Sequence, residues 1–205
     1  MRHPGAAVLG FAAWSGTGKT TLLRALIPAL RASGLRLGVV KHAHHSFELD
    51  YPGKDSYELR KAGALQVVVA SRQRLALIRE YAAERPEPSL AEALAVIDPT
   101  DLDLVLVEGF KREALPKLEL CRPQRGKPLM CGRDPNIIAV ACDGPLELPR
   151  PVPLLDLNNP AQVAEFILRW ANLLPPPDSG EQHRPCRAPA SPANPVVPTT
   201  ATRKP

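Results

Sequence analysis

Short apolar runs alternate along this chain with stretches of helical periodicity. The apolar runs predict strands at Ala6–Ala12, Arg36–Lys41, Leu65–Ala70, Leu75–Glu80, Leu102–Val107, Lys117–Cys121, Ile137–Ala141 and Val152–Leu157. Apolar residues spaced three and four apart predict helices at Thr20–Ser33, Asp55–Ala62, Ser89–Ile97 and Pro160–Leu173. This alternation indicates an α/β fold with a mostly parallel sheet flanked by helices.

Two details of the pattern refine this picture. Polar and apolar residues alternate over Lys117–Cys121, which predicts an outer strand with one wet face. From Pro175 onward the chain holds nine of its 24 prolines and almost no large apolar residues. Such a segment cannot bury enough surface to offset the entropy of ordering. We therefore expect one domain over 1–174 and a disordered Pro-rich tail over 175–205.

Residues 13–20, AWSGTGKT, match the phosphate-binding pattern G-x-x-x-x-G-K-[ST] except at Ala13. The segment follows an apolar strand and opens a helix, which is the context that the mechanism requires. Glycines let backbone N–H groups turn inward toward phosphate oxygens, the lysine adds a charge, and the next hydroxyl binds Mg²⁺. The predicted nucleotide-binding residues here are Ser15, Gly16, Thr17, Gly18, Lys19, Thr20 and Thr21.

An acidic group on a neighbouring strand is needed beside this loop to hold Mg²⁺ or its water. Glu108 closes the predicted strand 102–107 at its carboxyl end, where ligands of open α/β sheets bind. Asp103 stands at the opposite end and is interpreted as structural. Thr20 and Glu108 are therefore the predicted metal-side residues, with Asp50 as an additional candidate.

A polar, aperiodic loop over 42–54 follows the second strand at the same sheet edge. We interpret Lys41, His42, Lys54 and Asp55 as facing a phosphate-bearing substrate or a partner. The histidines of this loop, His42, His44 and His45, either bind a transition metal or make ordinary hydrogen bonds. We favour the second interpretation because no cysteine or third clustered ligand completes a tetrahedral site.

Recognition of a base is less determined by the sequence. The chain has no N-K-x-D motif. Asp143, which follows the strand 137–141, either accepts hydrogen bonds from the N–H groups of guanine or serves as a turn residue before Gly144. Both interpretations stay open from the residues alone.

Composition narrows the classes of partner. Aromatic residues make up only 4% of the chain, too few for a stacking surface for single-stranded nucleic acid. A net charge of +5 suits an anionic small ligand but does not by itself indicate DNA binding. The four cysteines form no C-x-x-C pair, the N-terminus does not read as a secretory leader, and no apolar run approaches a membrane span. We expect a cytoplasmic protein with no nucleic-acid or membrane partner.

Four separated blocks, residues 11–23, 40–45, 52–63 and 104–111, together resemble the molybdopterin-guanine dinucleotide biosynthesis adapter (MobB) family. The resemblance extends from Val8 to about Leu173, and the alanine at position 13 agrees with it. It implies a P-loop NTPase-like fold that binds GTP and Mg²⁺ with at most weak GTPase activity. It also implies a homodimer that uses extra β-strands, and an auxiliary role beside the MobA-type guanylyltransferase that attaches GMP to molybdopterin.

Two other functions compete with this adapter role. A small P-loop kinase needs an arginine-rich lid, and Arg72, Arg74 and Arg79 are candidates for one, although no compact lid is evident. A metallochaperone GTPase that delivers nickel would use the histidines of the 42–54 loop. Turnover with hydroxyl acceptors and metal-binding measurements separate these functions from the adapter.

Overall fold

The computed structural model describes residues 2–3, 5–43 and 47–173. Within these ranges the strands are β1 Arg2–His3, β2 Ala6–Ala13, β3 Leu37–Lys41, β4 Gln66–Ala70, β5 Leu75–Arg79, β6 Leu104–Glu108, β7 Lys117–Cys121, β8 Ile137–Cys142 and β9 Leu154–Asp156. The helices are α1 Lys19–Ala32, α2 Asp55–Lys61, α3 Leu90–Leu94 and α4 Pro160–Trp170, with a short 3₁₀ turn at Pro123–Arg125. The predicted tail and residues 44–46 lie outside the described residues.

Six strands form a parallel sheet in the order β3-β6-β2-β7-β8-β9, and β1 pairs antiparallel with the start of β2. The α/β prediction is therefore confirmed. The strand β2, which leads into the phosphate-binding motif, is central, with β6 on one side and β7 on the other. All carboxyl ends of the parallel strands meet at one edge, so residues that follow β2, β3 and β6 converge there.

The interpretation of Lys117–Cys121 as an outer strand was wrong, because β7 is an interior strand buried along its whole length. Its polar residues do not face water. Glu119 accepts hydrogen bonds from the N–H groups of Met130 (2.7 Å) and Cys131 (2.8 Å). Lys117 is likewise enclosed and bonded. The alternation of polar and apolar residues predicted that one face of this strand is exposed. The polar side chains are buried instead, because other parts of the chain supply their hydrogen-bond partners.

Apolar side chains pack on both faces of the sheet. Helices α1 and α4 cover one face, where Leu26, Leu30 and Ile167 are fully buried. The short helix α3 and connecting loops cover the other face, where Leu90 and Leu94 pack against Val107. The two-sided burial explains why the strands read as continuous apolar runs in the sequence.

Several elements are shorter than predicted, and two of them are only about half as long. The helix predicted over 89–97 is regular only across Leu90–Leu94, and the strand predicted over 152–157 is regular only across Leu154–Asp156. Pro153 has no N–H to donate to a strand ladder, which is consistent with the late start of β9. Its carbonyl still accepts the Val140 N–H at 2.9 Å.

Strands β4 and β5 form a separate antiparallel hairpin and do not join the main sheet. Their predicted pairing is confirmed. Val68 lies opposite Leu77 on a face that is largely exposed, with side-chain exposures of 59% at Val68 and 70% at Leu75. In the described part of the chain, no helix is both long and apolar enough to cross a bilayer.

Candidate functional site

The predicted phosphate loop connects the end of β2 to the start of α1. Gly16 and Gly18 have φ angles of 74° and 106°, in the left-handed region that favours glycine. Between them Thr17 is buried, and its hydroxyl donates to the Trp14 carbonyl at 2.7 Å. Left-handed glycines of this kind occur in loops whose backbone N–H groups bind phosphate oxygens.

The first turn of α1 begins at Gly18 with no side-chain cap from the described residues and with no acidic residue. Helix N-termini leave backbone N–H groups without intrahelical partners, and they carry a partial positive charge. Lys19 adds a full charge at the same place, and the exposed Thr20 and Thr21 follow it. The start of α1 is therefore suited to an anion.

A cavity of about 780 Å³ opens beside this loop. It brings together four of the residues that the sequence predicted, namely Ser15, Lys19, His42 and Glu108. It also contains residues that sequence reasoning missed, namely Glu87, Lys111 and Arg112. Charges of both signs thus face one space next to the phosphate loop.

Glu108 and Lys41 end the neighbouring strands β6 and β3 in matched register. The Lys41 Nζ lies 3.9 Å from Glu108 Oε2, at the outer limit of an ion pair. The next residue, His42, extends the ladder by donating its backbone N–H to the Glu108 carbonyl at 2.8 Å. Parallel pairing therefore fixes the position of His42 relative to Glu108.

The His42 ring is held on two sides. It stacks on Phe110 with ring centroids 4.5 Å apart, and its Nε2 lies 2.6 Å from the Glu87 carboxylate. A Cβ on Gly109 would lie 2.5 Å from the Cβ of His42, so only glycine fits at that position. Phe110 itself has a φ of 49°, an unusual value for a residue with a side chain. Backbone strain therefore accompanies the close packing of this wall of the cavity.

Four other predicted residues, Lys41, Asp50, Lys54 and Asp55, are not part of the cavity lining. Lys54 lies over the ring of Tyr51 at 5.5 Å, and Asp55 lies in the first turn of α2. Asp50 accepts the Tyr51 N–H at 3.0 Å through Oδ1, while its buried Oδ2 has no hydrogen-bond partner among the described residues. His44 and His45 lie outside the described residues. The described residues contain no group of three His, Cys, Asp or Glu side chains placed to hold a metal ion.

On its other side the phosphate loop contacts the segment that follows β7. Arg122 donates from Nε to the Thr17 carbonyl at 2.9 Å, and Arg125 donates to the Ser15 carbonyl at 3.4 Å. Sequence reasoning missed both arginines. Their signal was their position directly after a strand that turned out to be adjacent to β2.

Asp143 follows β8 and lies beside this same segment. Its Oδ2 accepts hydrogen bonds from Arg122 and from Gln124, the latter at 3.0 Å. Its side chain is only 6% exposed, and its Oδ1 is buried without a hydrogen-bond partner among the described residues. Through Arg122 this carboxylate is connected to the backbone of the phosphate loop.

Asp103 lies at the amino end of β6, away from the edge where the phosphate loop is found. It accepts the backbone N–H of Arg36 at 2.8 Å and pairs with the Arg36 guanidinium. Burial alone would raise the pKa of Asp103, but the hydrogen bonds from Arg36 outweigh it and lower the pKa. Asp103 is thus structural, as the sequence predicted.

Comparison with known proteins decides the family. The sequence profile described as "Molybdopterin guanine dinucleotide synthesis protein B" (MobB) matches residues 8–143. A molybdopterin-guanine dinucleotide biosynthesis adapter protein of Escherichia coli is 52% identical over 164 residues, which are 80% of this chain and 92% of the relative. The chain belongs to the MobB family. Another adapter protein of that name, from Haemophilus influenzae, is 45% identical over 80% of this chain and 88% of its own length.

Solved structures of the MobB family share the fold. A crystal structure of molybdopterin-guanine biosynthesis protein B superposes with a TM-score of 0.62 at 30% identity, over 80% of this chain and 99% of that chain. A MobB homologue from Bacillus stearothermophilus gives a TM-score of 0.57 at 28% identity, over 80% and 97% of the two chains. The P-loop NTPase-like architecture predicted for 1–174 is therefore that of the MobB family.

Proposed function

We propose that this protein is a GTP-binding adapter in molybdenum cofactor biosynthesis, which assists the guanylyltransferase that attaches GMP to molybdopterin. One observation carries the nucleotide-binding part of the proposal. The uncapped start of α1 and Lys19 face Glu108 across a single cavity. Phosphates bind a helix N-terminus and a lysine, while the acid on the next strand suits the accompanying cation. The adapter role is supported by membership of the MobB family.

Mg²⁺ suits the residues at this place. It prefers oxygen ligands and keeps several waters, with one or two protein groups and phosphate oxygens completing its shell. Thr20 supplies a hydroxyl in the first turn of α1, although it does not line the cavity, and Glu108 supplies a carboxylate from the cavity wall. When bound, Mg²⁺ would neutralise the charge of the phosphates. Asp50 is not part of the cavity lining, so we assign the acidic ligand to Glu108 and leave Asp50 as a prediction.

Asp143 is our candidate for recognition of guanine. A buried carboxylate oxygen that lacks a donor is costly, by about 1–3 kcal/mol. The Oδ1 of Asp143 is in this state among the described residues. An N–H group of guanine would satisfy it. Because Arg122 bonds both Asp143 and the Thr17 carbonyl, base and phosphate recognition would share one support.

We assign the substrate-facing or partner-facing role first to Lys41, the last residue of β3, and to His42, which follows it and lines the cavity. Molybdopterin carries a phosphate, so a lysine and an imidazole at this edge offer it charge-assisted hydrogen bonds. Lys54 and Asp55 lie at the start of α2, and for them the role stays a prediction. Cys121, Cys131 and Cys142 are buried free thiols, which supports a cytoplasmic location.

A homodimer is the oligomeric state that we propose. The β4–β5 hairpin has two outer edges with no strand partner among the described residues and an apolar face that is largely exposed. Both features mark surfaces that bind another chain. Pairing with the same hairpin of a second copy would satisfy the edges and bury the apolar face.

Isothermal titration with GTP, ATP and molybdopterin in the presence of Mg²⁺ tests the proposal. We expect GTP to bind more tightly than ATP and molybdopterin to bind at a separate site. Equal affinity for GTP and ATP would contradict the guanine assignment. Phosphate transfer to a hydroxyl acceptor would instead indicate a kinase, and tight nickel binding would indicate a metallochaperone.

A further inference from the structure

The connection between β6 and β7 is unusually short for its topology. These parallel strands flank β2 on opposite sides, so the connecting chain must cross β2. Such crossovers ordinarily need about a dozen or more residues and usually contain a helix. Here the crossover consists of residues 109–116 and contains neither helix nor strand. The carbonyls of Phe110 and Glu113 accept N–H groups from within the crossover, but that of Lys111 needs a partner from elsewhere.

A buried lysine supplies this partner. Lys117 is only 1% exposed, and its Nζ donates to the carbonyls of Lys111 (3.1 Å) and Glu113 (2.7 Å). It also forms an ion pair of 2.7 Å with Asp134 Oδ2. An ammonium group has three donors, and these three contacts use all of them. The charge is thus fully compensated in a place where an unpaired ammonium would be very costly.

The P-loop strand is shaped to admit this side chain. Gly10 lies opposite Lys117 in the register of β2 and β7. A Cβ at Gly10 would lie 2.8 Å from the Lys117 Cγ and 3.1 Å from the Leu115 Cδ1. Glycine weakens a strand interior and often marks a close approach of other atoms. Glycine is needed at position 10 because the aliphatic stem of Lys117 occupies the space that a Cβ would fill.

The same crossover forms one wall of the cavity beside the phosphate loop. Gly109, Phe110, Lys111 and Arg112 all line that cavity. Lys111 Nζ also lies 5.6 Å from the ring centre of Trp14, which is in the phosphate loop itself. The carbonyl of Lys111 is one of the two that Lys117 holds. The Lys117 ammonium therefore holds the backbone of the residues that form this wall of the cavity.

We propose that Lys117 is a positioning residue for nucleotide binding, which fixes the 109–116 crossover so that its residues face the terminal phosphate. This rests on the proposed binding of a nucleoside triphosphate in the cavity. The terminal phosphate distinguishes GTP from GDP, so loss of this support should weaken GTP binding and leave GDP binding almost unchanged. A purely structural role would lower stability without changing that ratio.

The test compares Lys117→Met with Arg36→Met in a Trp170→Phe background, which leaves Trp14 as the only tryptophan. Arg36 serves as the control, because its guanidinium pairs with Asp101 and Asp103 before the amino end of β6 and contacts neither the crossover nor Asp134. We expect Lys117→Met to lower the ratio of GTP to GDP affinity roughly 10- to 100-fold, the range for outer-shell partners of a site. Arg36→Met should lower only the melting temperature.

Trp14 fluorescence provides a readout that needs no nucleotide. Lys117→Met should change the emission of Trp14, because Lys111 leaves its place over the ring, whereas Arg36→Met should not. An unchanged emission and an unchanged affinity ratio in folded Lys117→Met would overturn the proposal. If that variant does not fold, Asp134→Asn decides, since it removes one of the three contacts and should shift both readouts in the same direction. A wild-type protein that binds neither nucleotide would contradict the proposed function, while the Trp14 emission still tests the positioning role.

Discussion

Lys19 is the first residue of α1 and lines the cavity beside the phosphate loop. Its ammonium has no ion pair with the described residues, so it is available to an anion. We expect Lys19→Ala to weaken GTP binding roughly 10- to 150-fold, which corresponds to the loss of about 1.5–3 kcal/mol for a charge-assisted contact. The melting temperature should stay almost unchanged. Titration calorimetry with GTP checks this, and an unaltered affinity would contradict the phosphate-loop assignment.

Glu108 is the last residue of β6, and Asp103 immediately precedes its first residue. Substituting each acid separately therefore tests which end of the strand holds Mg²⁺. We expect Glu108→Gln to reduce Mg²⁺-dependent GTP hydrolysis, and to raise the Mg²⁺ concentration needed for it roughly 10-fold. Nucleotide binding without Mg²⁺ should be spared. Hydrolysis measured across a Mg²⁺ titration is the readout.

The control for this prediction is Asp103→Asn. It removes a carboxylate that accepts hydrogen bonds from three nitrogens of Arg36, so it should cost about 1–2 kcal/mol of unfolding free energy. Its Mg²⁺ dependence should match that of the wild type. If Asp103→Asn shifts the Mg²⁺ requirement more than Glu108→Gln does, the acidic ligand has been assigned to the wrong end of β6.

Some residues of the cavity could be predicted from the sequence and others could not. Lys19 and Glu108 were predictable because a local motif and the carboxyl end of an apolar strand each define a place on the sheet. Glu87 was not, because it contacts His42 across 45 positions of sequence. Nothing near Glu87 in the chain marks it as part of a phosphate-side cavity.

Helix α3 owes its start to a capping box. The Ser89 side chain accepts the Glu92 N–H at 3.2 Å, and the Glu92 carboxylate accepts the Ser89 N–H at 2.8 Å. Hydrogen bonds from the Ser89 backbone and from Arg85 lower the pKa of Glu92 to about 2. Because Glu87 and Ser89 both line the cavity, this cap also shapes the cavity wall.

A pH dependence follows from the lowered pKa. A carboxyl group with a lowered pKa in the folded state stabilises the protein above its ordinary pKa, and that contribution is lost as the pH falls toward the folded-state value. We expect Glu92→Gln, which keeps an acceptor but removes the charge, to lower the unfolding free energy at pH 7. The difference should disappear as the pH approaches 2. Urea unfolding across this range measures it, with the exposed Glu84→Gln as a control; a difference that does not depend on pH would contradict the assignment.

The β4–β5 hairpin is the element on which the proposed dimer depends. Val68 lies opposite Leu77 on its exposed face. We expect Val68→Lys to convert the dimer to a monomer, because a lysine there would place a charge in an apolar interface. Val96→Lys is the matched control, since Val96 is equally exposed but lies after α3. Sedimentation equilibrium reads out the mass, and a monomeric wild type or a dimeric Val68→Lys would each contradict the proposal.

Considered as a whole chain, the protein is predicted to comprise a nucleotide-binding domain and a Pro-rich tail. We expect deletion of residues 175–205 to leave GTP affinity, oligomeric state and melting temperature unchanged, because the tail offers almost no apolar anchors. Calorimetry and sedimentation of the truncated protein check this. A melting temperature lowered by several degrees would show that the tail docks on the domain.

The sequence by itself determined the parts that depend on local physics. Apolar runs and helical periodicity predicted the α/β order of elements, because burial on both faces of a parallel sheet demands continuous apolar strands. Glycine positions and a lysine–threonine pair predicted the phosphate loop, because its backbone conformation depends on only a few adjacent residues. The MobB resemblance arose from the same short blocks.

Only the tertiary structure decided which distant groups meet. It placed β7 inside the sheet, although the alternation of Lys117 and Glu119 with apolar residues predicted an edge. The reason is that burial of a polar group depends on partners, and the partners of these two, Asp134 and the N–H groups of Met130 and Cys131, come from another segment. The sequence shows which residues are polar, but only the fold determines whether those polar groups find hydrogen-bond partners.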